Sequence, residues 1–386
     1  MTTPVSATAV LPFPEHQFAD STVIDRIKAL WGVAKRFQVL SGPPGTGKTR
    51  AAEDFAAYVH RETAPKVSLE DCRLSQLFPE FRTRIYEDNE IHEKLKSASV
   101  GFVWDIVVLH PQYTYEDLIR GFRAHTSPGV SGVTLVVREG VLAFMARVAA
   151  VLDKLKPASS LPKCLLILDE INRAPIGQLF GEALYAIDRR GAKVVTTYPL
   201  EGLGTALSIP ASLLILGTMN SIDRATAGFD FALRRRFAFV PLLSSPAAVN
   251  DAWLKFGTDP NYGIALYDRI SGLVQKGALE GSVSSSELTL GHAYFIPPPD
   301  CIDAFERSKW LYASYVYQIL PTLADYKEQG LIDFTEAQLA TLPLGYGLDF
   351  STASTKEISA SLTHFQEALI PTSASSPATP SSPAAP

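Results

Sequence analysis

Five short, mostly apolar runs punctuate the first two thirds of the chain, at residues 37–40, 104–109, 164–168, 213–216 and 237–240. Each is strand length, and the first four are followed by a glycine or a polar residue, the pattern of strands buried on both faces. Between them lie segments of helical periodicity. Residues 21–31 place Val23, Ile24, Ile27, Leu30 and Trp31 on one face, and 49–60 and 141–155 follow the same rule. Residues 175–190 open on Pro175, a residue tolerated in a first helical turn. Residues 118–122 read as helix, 133–137 as strand, and 193–199 with 206–209 as a small hairpin. Residues 61–99 are charged and irregular, and read as helices and loops inserted after the 49–60 helix. Apolar strands alternating with helices predict an α/β fold with a parallel five-stranded sheet covered by helices on both faces. Beyond residue 244 the pattern becomes mostly helical as far as 369. No internal repeat is visible.

Composition narrows the class. With 386 residues, 46% hydrophobic and 19% charged, the chain can bury a sizeable core in two or three domains. A net charge of −5 argues against a strongly basic nucleic-acid binder. Cys72, Cys164 and Cys301 lie far apart, with neither a metal spacing nor a disulfide framework. The first residues lack a secretory pattern, and the longest apolar runs, such as 212–217, are too short to span a bilayer. A soluble cytoplasmic protein with no membrane partner is expected. Residues 1–20 read as a flexible leader and 371–386, rich in Pro, Ser and Ala, as a disordered tail.

The chemistry is concentrated at the ends of the apolar runs. After the first comes Gly42-Pro43-Pro44-Gly45-Thr46-Gly47-Lys48-Thr49, a full match to the phosphate-cradling loop G-x-x-x-x-G-K-[ST]. Glycines let backbone N–H groups wrap a triphosphate, Lys48 reaches the β- and γ-phosphates, and the Thr49 hydroxyl is a Mg²⁺ ligand. The third run ends in Asp169-Glu170. Asp169 is the second candidate Mg²⁺ ligand and Glu170 the candidate general base for water. Alone, a strand ending in acids is an ordinary surface edge; downstream of such a loop it is a hydrolytic pair. The fourth run closes on Gly217-Thr218-Met219-Asn220, where Asn220 is placed to touch the γ-phosphate or the attacking water. Arg234-Arg235-Arg236 precede the fifth run. One of them is a candidate arginine finger reaching across a subunit boundary; a solvated basic helix end is the plainer alternative.

In this order the elements resemble the AAA+ superfamily of ring-forming NTPases, and their wording resembles the McrB type, the GTPase subunit of the modified-cytosine restriction system, in the dynein-related and MoxR-like neighbourhood. The matching segments are His110-Pro111-Gln112-Tyr113-Thr114-Tyr115-Glu116-Asp117 with Gly121-Phe122-Arg123, then Asp169-Glu170-Ile171-Asn172-Arg173-Ala174, Met219-Asn220-Ser221-Ile222-Asp223-Arg224, Phe231-Ala232-Leu233-Arg234-Arg235-Arg236-Phe237, and Gly291-His292-Ala293-Tyr294-Phe295. Ser221-Ile222 stands where that group has Thr-Ala.

The resemblance implies an AAA+ core over 21–244 and a helical lid over 245–370. It adds Asp223 and Arg224 to the hydrolytic machinery, places Asn172 and Arg173 at the same cleft or the neighbouring subunit, and makes His292 a structural histidine. It implies a homo-oligomeric ring, a hexamer, driving a separate nuclease or effector subunit, with DNA engaged only indirectly because the short leader leaves no room for a DNA-reading domain. The loop's wording is the commonest among ATP-using members, so ATP is expected ahead of GTP. A MoxR-like remodeller acting on a protein partner and a nucleotide-gated scaffold with little turnover are the competing readings.

Overall fold

The structure is a computed structural model in which residues 22–125, 133–157, 159–189, 191–222, 231–257, 261–279, 283–340, 342–343 and 355–370 are described. The chain divides into two compact units, Met1–Leu242 and Leu243–Pro386. The expected leader and tail lie outside the described residues, as do Asp223 and Arg224.

In the first unit the order is α1 (Val23–Gly32), β1 (Phe37–Gly42), α2 (Lys48–Thr63), α3 (Leu74–Leu77), α4 (Asp88–Ser97), β2 (Val103–Val108), α5 (Tyr115–Leu118), β3 (Arg120–His125), β4 (Thr134–Glu139), α6 (Val141–Leu155), β5 (Cys164–Asp169), α7 (Ile176–Phe180), α8 (Ala183–Asp188), β6 (Val194–Leu200), β7 (Gly204–Leu207), β8 (Leu213–Asn220), α9 (Phe231–Arg234) and β9 (Ala238–Pro241). Five strands form one sheet in the order β2-β5-β8-β1-β9, every neighbouring pair parallel. Consecutive residues of β5 and β8, Cys164 to Leu168 and Leu213 to Leu216, are all fully buried, so both sheet faces are covered. That is why the runs are continuous rather than alternating. The one polar intruder in β1, Gln38, is also fully buried; its amide donates to Ile27 O at 3.2 Å and Lys35 O at 3.0 Å, fastening α1 to the sheet.

Two local expectations are corrected. Residues 118–122 are not one helix: α5 is a single turn, begun by a reciprocal capping box between Thr114 and Asp117, and the chain then enters β3, which pairs antiparallel with β4. The anchor is Arg120, 2% exposed, whose guanidinium donates to Thr196 Oγ1, Gly204 O and Ala206 O, each at 3.1 Å. A buried guanidinium demands such partners, and here they lie on the β6–β7 hairpin. Residues 175–190 likewise break into α7 and α8 at Gly181, whose φ of +47° no helix continues. A Cβ there would press on the Tyr115 ring at 3.1 Å. The expected hairpin is present as β6 and β7. Buried Glu139 at the end of β4 pairs with Arg147 of α6 at 2.6 Å, and Arg147 also reaches Asp88 of α4 at 2.8 Å.

The second unit is built of α10 (Pro246–Lys255), α11 (Tyr262–Gly277), α12 (Ser285–Leu288), α13 (Ala304–Ser314), α14 (Leu320–Glu328), α15 (Glu336–Leu339) and α16 (Thr355–Leu369). A π turn, Tyr315–Ile319, joins α13 to α14 ahead of Pro321, which has no N–H for a regular ladder. Its core holds Trp253, whose indole donates to Phe295 O at 2.8 Å, and the packed rings of Tyr312, Tyr315 and Phe365. Among the described residues no helix is long and apolar enough to cross a membrane.

Candidate functional site

The loop between β1 and α2 is shaped by its glycines. Gly45 and Gly47 have φ of +77° and +75°, the left-handed region that side chains resist. Gly42 is needed for a different reason: a Cβ there would lie 2.0 Å from Leu242 O. The loop closes on itself. Thr46 Oγ1 donates to Pro43 O at 3.0 Å, and Lys48 Nζ donates to Gly42 O at 3.1 Å and Pro43 O at 2.8 Å. Pro44 is half-buried at the turn. No side chain caps α2, so its first N–H groups and its positive end point into the loop.

The acids stand across the strand ends. In the β1–β8 register Gly42 faces Asn220, and in β5–β8 Leu168 faces Gly217, which brings the carboxyl ends of three strands into line. Thr49 Oγ1 donates to Asp169 Oδ1 at 2.7 Å. Thr218 Oγ1 donates to the same oxygen at 2.6 Å and accepts from Glu170 N–H at 3.1 Å. Glu170 has φ +55° and ψ +46°, a left-handed backbone that costs a non-glycine residue about 1 kcal/mol or more. The turn sends its carboxylate away from that of Asp169. Asn220 Nδ2 donates to both Glu170 oxygens, at 3.1 and 3.2 Å, and Arg173 Nε lies 3.3 Å from Oε2. Asn172 is buried beside them, its amide 3.5 Å from Asn220 O.

These residues fit a Mg²⁺-nucleotide. A threonine hydroxyl and a carboxylate oxygen in contact are hard donors, and a small protein ligand set leaves positions for phosphate and water, as Mg²⁺ prefers.

Thr49 and Asp169, and Glu170 and Asn220, are therefore joined by hydrogen bonds at one edge of the sheet. Arg236 is held by Asp188 at 2.7 Å. Arg234 is exposed, 5.8 Å from the Phe239 ring centre, and Arg235 is exposed. The segment from His110 to Arg123 is tied down by side-chain contacts. Tyr115 donates to Glu182 at 2.5 Å, Arg123 pairs with Asp117, and a Cβ at Gly121 would overlap Glu116. His292 lies in the second unit, where burial lowers its pKa. Sequence reasoning missed Thr218 and the contact of Arg173 with Glu170. Thr218 stands two residues before Asn220, on the same side of β8, which was the signal available.

Residues 88–237 match the AAA domain of the dynein-related subfamily. That stretch holds Asp169 through Asn220 and begins after the glycine-rich loop, which rests on its own wording and geometry. The chain is 28% identical over 322 residues, 80% of its length, to the type IV methyl-directed restriction enzyme EcoKMcrB subunit of Escherichia coli K12, and spans 57% of that protein. A crystal structure of a candidate ATPase from Cytophaga hutchinsonii covers 88% of both chains at 12% identity, with a TM-score of 0.29, too low to carry an argument. With a parallel sheet that lines up the loop, the acid pair and the asparagine, the chain is similar to the AAA+ P-loop NTPases of the McrB type, and residues 88–237 carry the match to the AAA domain.

Proposed function

We propose that this chain hydrolyses the β–γ anhydride of a nucleoside triphosphate, ATP ahead of GTP, as one subunit of a homo-oligomeric ring. The observation that carries the reading is the meeting of Thr49, Asp169, Glu170 and Asn220 at one edge of the sheet. The loop backbone binds the phosphates, and Lys48 exchanges its two carbonyl partners for phosphate oxygens. Thr49 and Asp169 would hold Mg²⁺, which would supply charge neutralisation at the phosphates. Glu170 takes the proton of the attacking water, and Asn220, already on both its oxygens, holds that carboxylate and reads the γ-phosphate. An arginine of the neighbouring subunit completes the charge balance. Asp223 and Arg224 belong to the same machinery by their motif.

The relative is by name a subunit of a restriction enzyme, which supports a role as the energy-supplying subunit of a DNA restriction system, acting on a separate nuclease partner and meeting DNA through it. The unpaired thiols of Cys72, Cys164 and Cys301 suit work in the reducing cytoplasm.

Glu170→Gln is the direct test. Hydrolysis is expected to fall at least about 100-fold, in line with loss of a general base, while nucleotide affinity is retained. Turnover at the wild-type rate in that variant overturns the reading.

A further inference from the structure

We propose that Thr218 is a positioning residue that sets both acids of the site at once. Its hydroxyl has one proton and two lone pairs. The proton goes to Asp169 Oδ1 at 2.6 Å, and a lone pair receives the Glu170 N–H at 3.1 Å. The side chain is buried, 2% exposed, so no solvent competes for either bond. Thr218 stands on β8, between the strand that carries the loop and the strand that carries the acids; its partner in β1 is Leu40.

Each bond has a separate effect. The bond to Asp169 holds the carboxylate turned toward Thr49, whose hydroxyl meets the same oxygen. The bond from Glu170 N–H stabilises the left-handed backbone that parts the two carboxylates. Without it that N–H loses its partner and the strained turn loses a tether. A single hydroxyl thus couples the site's affinity for Mg²⁺ to the aim of its base. Partners that orient metal-binding side chains in this way typically change metal affinity or activity by about 10- to 100-fold when lost.

This inference rests on the hydrolytic reading above. The test is Thr218→Val, which keeps the branched shape and removes the hydroxyl, beside Thr218→Ser, which restores it. Binding of a fluorescent ATP analogue is measured in EDTA and across a Mg²⁺ titration, with kcat and KM from steady-state hydrolysis. In T218V, affinity in EDTA is expected to match wild type, while the Mg²⁺ concentration for half-maximal tightening rises and kcat falls, each by about 10- to 100-fold. T218S is expected to recover both. Wild-type Mg²⁺ dependence and kcat in T218V, or a serine variant as defective as the valine one, overturns the proposal. If T218V does not fold, Thr218→Ala removes the same hydroxyl without adding a methyl, and the same two outcomes decide. Loss of activity in Glu170→Gln together with a wild-type T218V sinks this inference alone; activity in Glu170→Gln sinks the hydrolytic reading beneath it.

Discussion

His292 shows how a matched motif residue can be structural. Its Nδ1 is buried with no hydrogen-bond partner among the described residues, and burial lowers the pKa of the ring. Protonation therefore favours the unfolded chain. The folded pKa is below the unfolded one, so the stability of the second unit is full above the ordinary histidine value of about 6.5 and falls as pH drops below it. Urea midpoints followed from roughly pH 8 to pH 5 should decline on the acid side, and His292→Gln should flatten part of that decline. An identical slope in the variant would remove the histidine from the account. At this scale the sequence was legible in placement: Lys48, Thr49, Asp169, Glu170 and Asn220 all lie at the carboxyl ends of neighbouring strands or in the loop beside them. Thr218 escaped notice because a threonine in a strand is common, and its double contact exists only once β8 lies beside β5.

Among the elements, the five sheet strands were readable because both faces are covered, which makes each run apolar throughout. The β3–β4 and β6–β7 ribbons were harder. They meet through the buried Arg120 guanidinium as well as the Phe122–Tyr198 ring pair, and β3, which carries Arg120, Arg123 and His125, resembles helix or loop in sequence. Backbone crowding holds the layer together. A Cβ at Gly140, between β4 and α6, would lie 2.3 Å from the Leu118 carbonyl carbon and 2.5 Å from Asp117 O, and no side-chain rotation relieves that. Gly140→Ala should cost about 1–3 kcal/mol. In calorimetry each kcal/mol lowers the melting temperature of a domain this size by about 2–4 °C. Gly177→Ala in α7, where a Cβ meets nothing within 4 Å, is the matched control and should leave the melting temperature unchanged or raise it by a few degrees, about 0.5–1 kcal/mol of helix propensity. Equal effects of the two substitutions would show that the crowding is relaxed by local movement.

For the whole molecule, the ring remains the proposal with the most to lose. Arg236 is committed to Asp188 of its own chain, whereas Arg234 and Arg235 are exposed, which makes these two the candidates to test for service to a neighbour. Arg234→Ala/Arg235→Ala should be inactive alone, as should Glu170→Gln. Mixed, they should recover part of the wild-type rate, since an intact Glu170 then meets an intact arginine from the other subunit. Absence of any recovery in a mixture shown by sedimentation to co-assemble would rule out a trans-acting arginine at these positions.

The close approach at Gly42 reaches further than the loop itself. Leu242 N–H donates to Ser41 O at 2.7 Å while Leu242 O occupies the space a Cβ of Gly42 would need. Leu242 is also the last residue of the first unit. The polypeptide thus departs from that unit at a point moored to the opening turn of the phosphate loop. A side chain at position 42 would therefore strain the phosphate loop and the carboxyl end of the first unit together, because backbone meets backbone there with no side chain between.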